Sequence, residues 1–265
     1  MNIIDRNNVT VRGQGNQPIL FSHGYGCDQT IWRLVTPAFE QDYEVILFDH
    51  VGAGKSDTSK YNRSKYSTLQ GYADDVIEIG ERLEITDGIF VGHSVSSIIG
   101  ILAAIKKPRL FSKLILVGPS PCYFNENDYI GGFTYEAISD MLRLVESNYE
   151  TWAKTMAPLI MGNPEHPELA EELIETFCSN KPEIAKHFAH VTFLSDNRPD
   201  LPQLQVPSLI LQCSKDVIAP ETVGRYLHKV LKESELHIMQ ATGHCPHLSA
   251  PHETIEAIHR YLKQA

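Results

Sequence analysis

The stretch GIFVGHSVSSIIGILAAI, residues 88–105, places Ser94 between an apolar run and a second run of small and apolar residues. A serine at such a junction approaches the G-x-S-x-G nucleophile elbow, in which the hydroxyl stands at the tip of a sharp strand-to-helix turn. Small residues two before and two after the serine relieve backbone crowding there. Gly92 meets the first requirement; Ser96 stands where the second glycine would be and is the next smallest choice after Gly and Ala. A plainer role also fits, with Ser94 as the N-cap of the following helix. Ser96 and Ser97 fall inside that helix and read as packing or helix-start residues. On this reading a Ser96→Gly change keeps the chemistry of Ser94.

A serine hydroxyl is a weak nucleophile without a base in hydrogen-bond reach, a carboxylate behind the base, and donors for the oxyanion. Asp216 follows the apolar run of LILQCSKDVIAP, with an ordinary loop or cap role as the alternative. Asp196 and Asp200 compete, but they precede that run. His244 follows another run in MQATGHCPHLSAP, where Gly243 frees the backbone and Pro246 prevents a helix; His247 is its competitor. HGYG, residues 23–26, follows the run PILFS and fits an oxyanion loop, with donors at the Tyr25 and Val95 amides. Serine, aspartate and histidine in this order, each just past an apolar run, are what acyl transfer on a parallel sheet requires.

The elements that must position these groups follow from hydrophobic periodicity. NVTVRG suits an edge strand. PILFSHG, YEVILFDHVGAG, GIFVGHS, FSKLILVGPS, VPSLILQCSKD and SELHIMQATGH each read as a strand running into a turn or loop. DQTIWRLVTPAF has helical spacing, and LQGYADDVIEIGERL is amphipathic through Leu69, Tyr72, Val76, Ile79 and Leu83. Strands alternating with helices predict a mostly parallel sheet covered on both faces. From 120 to 196 the rhythm changes to helical patterns, TYEAISDMLRLVESNYETWAKTM (134–156), HPELAEELIETFCSN and PEIAKHFAHVTFL, without a convincing strand. The chain is therefore divided into a core at 1–119 and 197–265 and an inserted helical cap at 120–196. Ligands bind at the carboxyl ends of the strands in open α/β sheets, so a cap belongs there.

A formal net charge of −10 argues against a nucleic-acid backbone or an anionic membrane surface as partner. No apolar run approaches a membrane span. The first 16 residues lack the apolar stretch of a signal peptide. The 5 cysteines are scattered without a CxxC pair and read as reduced thiols of a cytoplasmic protein. HVGAGKSD invites a phosphate-loop reading, but Asp49 occupies the first glycine position, so a tight turn after a strand explains it better. GHCPH offers Cys245 and two histidines, yet without a second cluster nearby in sequence it is weak as a metal site, and no metal is expected.

HGYGCDQTIW, DHVGAGKSD, FVGHSVSSIIGILAA, GPSPCYFNENDYIGGF and GHCPHLSAP resemble the RsbQ-like bacterial stress-response hydrolases and their plant relatives, the karrikin and strigolactone receptor hydrolases. The similarity runs nearly end to end, and GHSVS is frequent in that family. The resemblance implies an α/β-hydrolase fold with a four-helix lid, the triad Ser94, Asp216 and His244, an oxyanion hole at Tyr25 and Val95, and no cofactor. It carries pocket positions onto Tyr123, Phe133, Met141, Trp152, Met156 and Phe193. Tyr25 stands where relatives usually have Phe, and Met156 where plant members often have Phe. The function implied is hydrolysis of a small hydrophobic ester or lactone, coupled to a protein partner that in the bacterial members is a PAS-domain serine phosphatase. The alternatives are a metabolic carboxylesterase or C–C bond hydrolase without a partner, and a binding module with a vestigial triad.

Overall fold

The computed structural model describes residues 2–264. Seven strands, β1 (Thr10–Arg12), β2 (Gln17–Ser22), β3 (Tyr43–Phe48), β4 (Gly88–His93), β5 (Phe111–Val117), β6 (Ser208–Lys215) and β7 (Ser234–Thr242), form one sheet in the order β1-β3-β2-β4-β5-β6-β7. Only β1, at the edge, runs antiparallel to its neighbour. Side chains of a strand alternate between faces, and all six residues of β4 are buried, so the middle of the sheet is covered on both sides.

A short helix α1 (Ile3–Arg6) opens the chain, and α2 (Leu69–Arg82) packs on α3 (Val95–Lys106). Leu69, Tyr72, Val76 and Ile79 form the buried stripe of α2, as their spacing predicts. Between β5 and β6 come four helices, α4 (Tyr135–Ser147), α5 (Tyr149–Met161), α6 (Pro167–Ser179) and α7 (Pro182–Phe193). After β6 come α8 (Glu221–Val230), a short α9 (Pro246–Ser249) and α10 (Pro251–Leu262).

Two segments differ from the periodicity reading. The stretch from Asp28 to Phe39 forms two 3₁₀ turns, Gln29–Trp32 and Thr36–Ala38, instead of one helix. Asp28 caps the first turn, and Pro37 has no N–H with which to continue an α-helical ladder. The helical pattern over 134–156 divides at Asn148, whose extended backbone ends α4 and whose side chain accepts the Thr151 N–H at 3.0 Å to start α5.

The inserted helices meet the sheet at the loop after β7. Gly162, with φ of +63°, ends α5 against Gly243, with φ of +77°. A Cβ on Gly243 would lie 1.8 Å from the Met161 carbonyl oxygen. The next residue, His244, donates its backbone N–H to the Ile160 carbonyl at 2.7 Å. Gly243→Ala therefore combines backbone strain with a collision and should lower stability by about 2–3 kcal/mol. Urea unfolding of the purified variant measures this, and an unchanged midpoint would show that this contact is not confining.

Candidate active site

Ser94 sits at the carboxyl end of β4 with φ of 56° and ψ of −124°, a conformation costly for a residue with a side chain. Its N–H donates to the Val117 carbonyl at 2.8 Å, and its carbonyl accepts the Ser97 N–H at 2.9 Å. A Cβ at position 92 would lie 2.6 Å from the Ser96 carbonyl oxygen and 2.7 Å from the Phe90 ring, so this turn requires Gly92. The Ser94 side chain makes no capping bond to α3. Its Oγ lies 2.7 Å from His244 Nε2 instead.

His244 Nδ1 lies 2.6 Å from Asp216 Oδ2. Asp216 Oδ1 accepts the Ile218 and Ala219 amides at 2.8 and 3.0 Å, which fixes the carboxylate. With Nδ1–H donated to Asp216, Nε2 is left to accept the Ser94 proton. Ser94, Asp216 and His244 are 5%, 6% and 4% exposed, so the relay operates away from bulk water. The competing residues are engaged elsewhere. Asp196 pairs with Arg198, Asp200 accepts from Asn197, and the His247 ring packs on Trp32 and His93. Among the described residues, no protein acceptor takes the Tyr25 or Val95 amide.

Ser96 is more than a small residue behind the elbow. Its Oγ–H donates to the His23 carbonyl at 2.5 Å, and the same oxygen accepts from Ser22 Oγ at 2.9 Å and from His50 Nε2–H at 2.8 Å. His23 Nδ1–H donates to the Gly24 carbonyl at 2.9 Å, leaving Nε2 to accept the His50 amide at 3.0 Å. Burial lowers both histidines below the ordinary imidazole range, so they stay neutral and can serve as both donor and acceptor. This network ties the first turn of α3 to the loop carrying Tyr25. Ser22, His23 and His50 escape a motif reading because their partners lie on different strands. The only sequence signal is polar residues closing two apolar runs.

The cavity beside Ser94 holds about 30 Å³, room for about two waters. Trp152 and Phe193 line it together with Tyr25, Ile160, Leu173, Phe177 and Ile218. Tyr123 is buried with its ring centroid 5.0 Å from that of Phe193; burial pushes its phenol up, and Ser94 beside it acts in the opposite direction. Phe133, Met141 and Met156 are half-buried and pack on the core, and neither they nor Tyr123 lines this cavity. Leu173 and Phe177, on the buried side of α6, take part where those three do not. Tyr25 stacks edge-on against Trp152 and Phe193, and its hydroxyl donates to the Ala185 carbonyl of α7 at 3.0 Å, a bond that Phe would lack.

The model of the alpha/beta hydrolase family matches residues 19–257. The chain belongs to the α/β-hydrolase family. It is 38% identical to the karrikin insensitive 2 receptor CA of Petunia hybrida, over 99% of this chain and 98% of that one. It is also 38% identical to the strigolactone esterase RMS3 of Pisum sativum, over 94% of each. The solved structure of a hydrolase from Oleispira antarctica superposes with a TM-score of 0.97 at 38% identity, covering 99% of this chain and 97% of that one. A seven-stranded, mostly parallel sheet with the groups above at its strand ends is this α/β-hydrolase's version of the fold.

The Ser96 network bears on stability, whereas the sequence expectation for Ser96→Gly concerned the chemistry of Ser94. Removing Oγ leaves the buried His23 carbonyl unpaired, and it leaves Ser22 Oγ and His50 Nε2 with only each other at 3.3 Å, so one of their two hydrogens also loses its acceptor; each such loss costs about 1–3 kcal/mol. Ser96→Ala should therefore lose about 2–4 kcal/mol in urea unfolding. Wild-type stability in that variant would mean the network contributes nothing.

Proposed function

We propose that the protein is a serine hydrolase of small hydrophobic esters or lactones, and that its hydrolytic cycle signals to a protein partner. The observation that carries the hydrolase reading is the continuous hydrogen-bonded line Ser94 Oγ–His244 Nε2 and His244 Nδ1–Asp216 Oδ2 at 2.7 and 2.6 Å. In the proposed reaction Ser94 Oγ attacks the carbonyl carbon while His244 Nε2 takes its proton. Asp216 stabilises the imidazolium and holds its orientation. The Tyr25 and Val95 amides bind the oxyanion. His244 then returns the proton to the leaving alkoxide, and a water activated by the same Nε2 releases the acyl group.

The hydrophobic substrate class rests on the lining of the cavity, mostly aromatic and aliphatic. Its small volume means that a ligand must displace side chains of α5–α7, so these helices serve as a lid. Similarity to a karrikin receptor and a strigolactone esterase supports a small ester or lactone as ligand. The sequence resemblance to RsbQ-like proteins supports a PAS-domain serine phosphatase as the partner. A metabolic esterase would instead turn over its substrate rapidly and work without a partner.

Ser94→Ala should lower turnover of p-nitrophenyl acetate by at least about a thousandfold while the thermal transition stays intact. Unchanged turnover would remove Ser94 from the mechanism. Phe177→Ala should enlarge the cavity and move the preferred acyl chain toward greater length, with kcat/KM for the hexanoate rising several-fold relative to the acetate. An unaltered chain-length profile would show that α6 does not bound the acyl site.

A further inference from the structure

The histidine and cysteine of GHCPH acquire a third neighbour that sequence spacing hides. One ligand atom each from His93, Cys245 and His247 lie within 4.8 Å of one another. His93 comes from the end of β4, whereas the other two flank the start of α9. All three side chains are buried, at 3%, 1% and 0% exposure.

Their hydrogen bonding is incomplete in a specific way. His93 Nε2–H donates to the His244 carbonyl at 2.8 Å, so His93 Nδ1 carries a lone pair. Among the described residues, neither ring nitrogen of His247 has a partner, and none meets His93 Nδ1. A buried polar atom without a partner costs about 1–3 kcal/mol, and three of them in one place call for an occupant or a reason. Gly24 keeps the His93 nitrogen uncovered, because a Cβ there would lie 2.5 Å from Nδ1. An imidazole whose second nitrogen is bonded to a backbone carbonyl has the arrangement that orients histidine ligands in metal sites.

We propose that His93 Nδ1, His247 and Cys245 Sγ form a three-coordinate site for a soft monovalent cation, Cu(I). The donor set selects the metal. Two neutral imidazoles and one thiolate suit copper(I), whereas zinc seeks a fourth ligand. Charge points the same way. When the ion binds, the Cys245 thiol gives its proton to water, and the thiolate and monovalent ion together are neutral. A divalent ion would leave a net positive charge in a site surrounded by buried side chains. The ion has a route in, since His93 and Cys245 line the cavity over Ser94. Occupancy would join the residue before Ser94 to the residues after His244, clamping nucleophile and base segments together.

The test is a competition titration of the whole protein with Cu(I) against bathocuproine disulfonate under reducing conditions. It is done in a Cys178→Ser background, because Cys178 is the exposed thiol. One copper per chain should bind. Cys245→Ala should weaken binding by more than the roughly 100-fold that loss of an outer-shell partner costs. His247→Phe, which retains an aromatic ring against Trp32, should do the same. Copper should also quench Trp32, whose ring centroid lies 4.7 Å from that of His247, when Trp32 is made the sole emitter by Trp152→Phe. Copper uptake that survives both ligand variants, no uptake by the folded parent, or tighter retention of zinc than of copper(I) would each overturn the proposal. None of these readouts depends on hydrolytic activity.

Discussion

The backbone of Ser94 is the constraint on which the rest of the structure depends. A residue with a side chain held at φ of 56° and ψ of −124° costs about 1–3 kcal/mol, and it persists only where its surroundings allow no relaxation. Here the surroundings act from three sides. The wholly buried β4 fixes the entry, the Val117 carbonyl takes the amide, and Gly92 lets the start of α3 fold back against the strand. Ser96 adds a fourth restraint by holding the His23 carbonyl, so the elbow and the loop carrying Tyr25 move as one piece. The hydroxyl is thus presented to His244 without reorganisation, the condition under which positioned groups accelerate acyl transfer.

His244 is the second fixed point, and it belongs to two parts of the molecule. Its ring faces the sheet-borne Ser94 and Asp216, while its backbone N–H is held by Ile160 near the end of α5. Trp152, earlier on the same helix, forms a wall of the cavity. A ligand that displaces Trp152 therefore pushes on the helix that anchors His244. Tyr25 makes a parallel connection from the opposite side, through its hydroxyl to the Ala185 carbonyl of α7. Cavity, hydrogen-bonded line and inserted helices are mechanically one system.

Much of this arrangement was legible in the sequence because Ser94, Asp216 and His244 lie where apolar runs stop. Asp216 and His244 could be picked from their competitors by that rule alone, although Ser94 and His244 are 150 residues apart. What was hidden depends on strand order and helix facing. The Ser96 network joins the ends of β2, β3 and β4, adjacent only because β2 pairs with both of the others. The grouping of His93 with Cys245 and His247 is hidden because it joins the end of β4 to the segment after β7, about 150 residues further along the chain. Periodicity identifies the helices of the insertion but not which stripe faces Ser94. Phe133, Met141 and Met156 therefore fall outside the cavity, while Leu173 and Phe177 line it. The break at Asn148 was obscured by helical spacing on both sides of it, and its signal was one capping side chain.

The central claim is that the Ser94 oxygen, activated through His244, is the atom that bonds to the acyl carbon. Peptide mapping by tandem mass spectrometry after labelling with a small alkyl fluorophosphonate tests it most directly, since the reagent records which oxygen is activated. The account predicts one adduct per chain, on Ser94, abolished by His244→Ala and by prior denaturation. An adduct on Ser96, or one on Ser94 that forms equally well without His244, would contradict it.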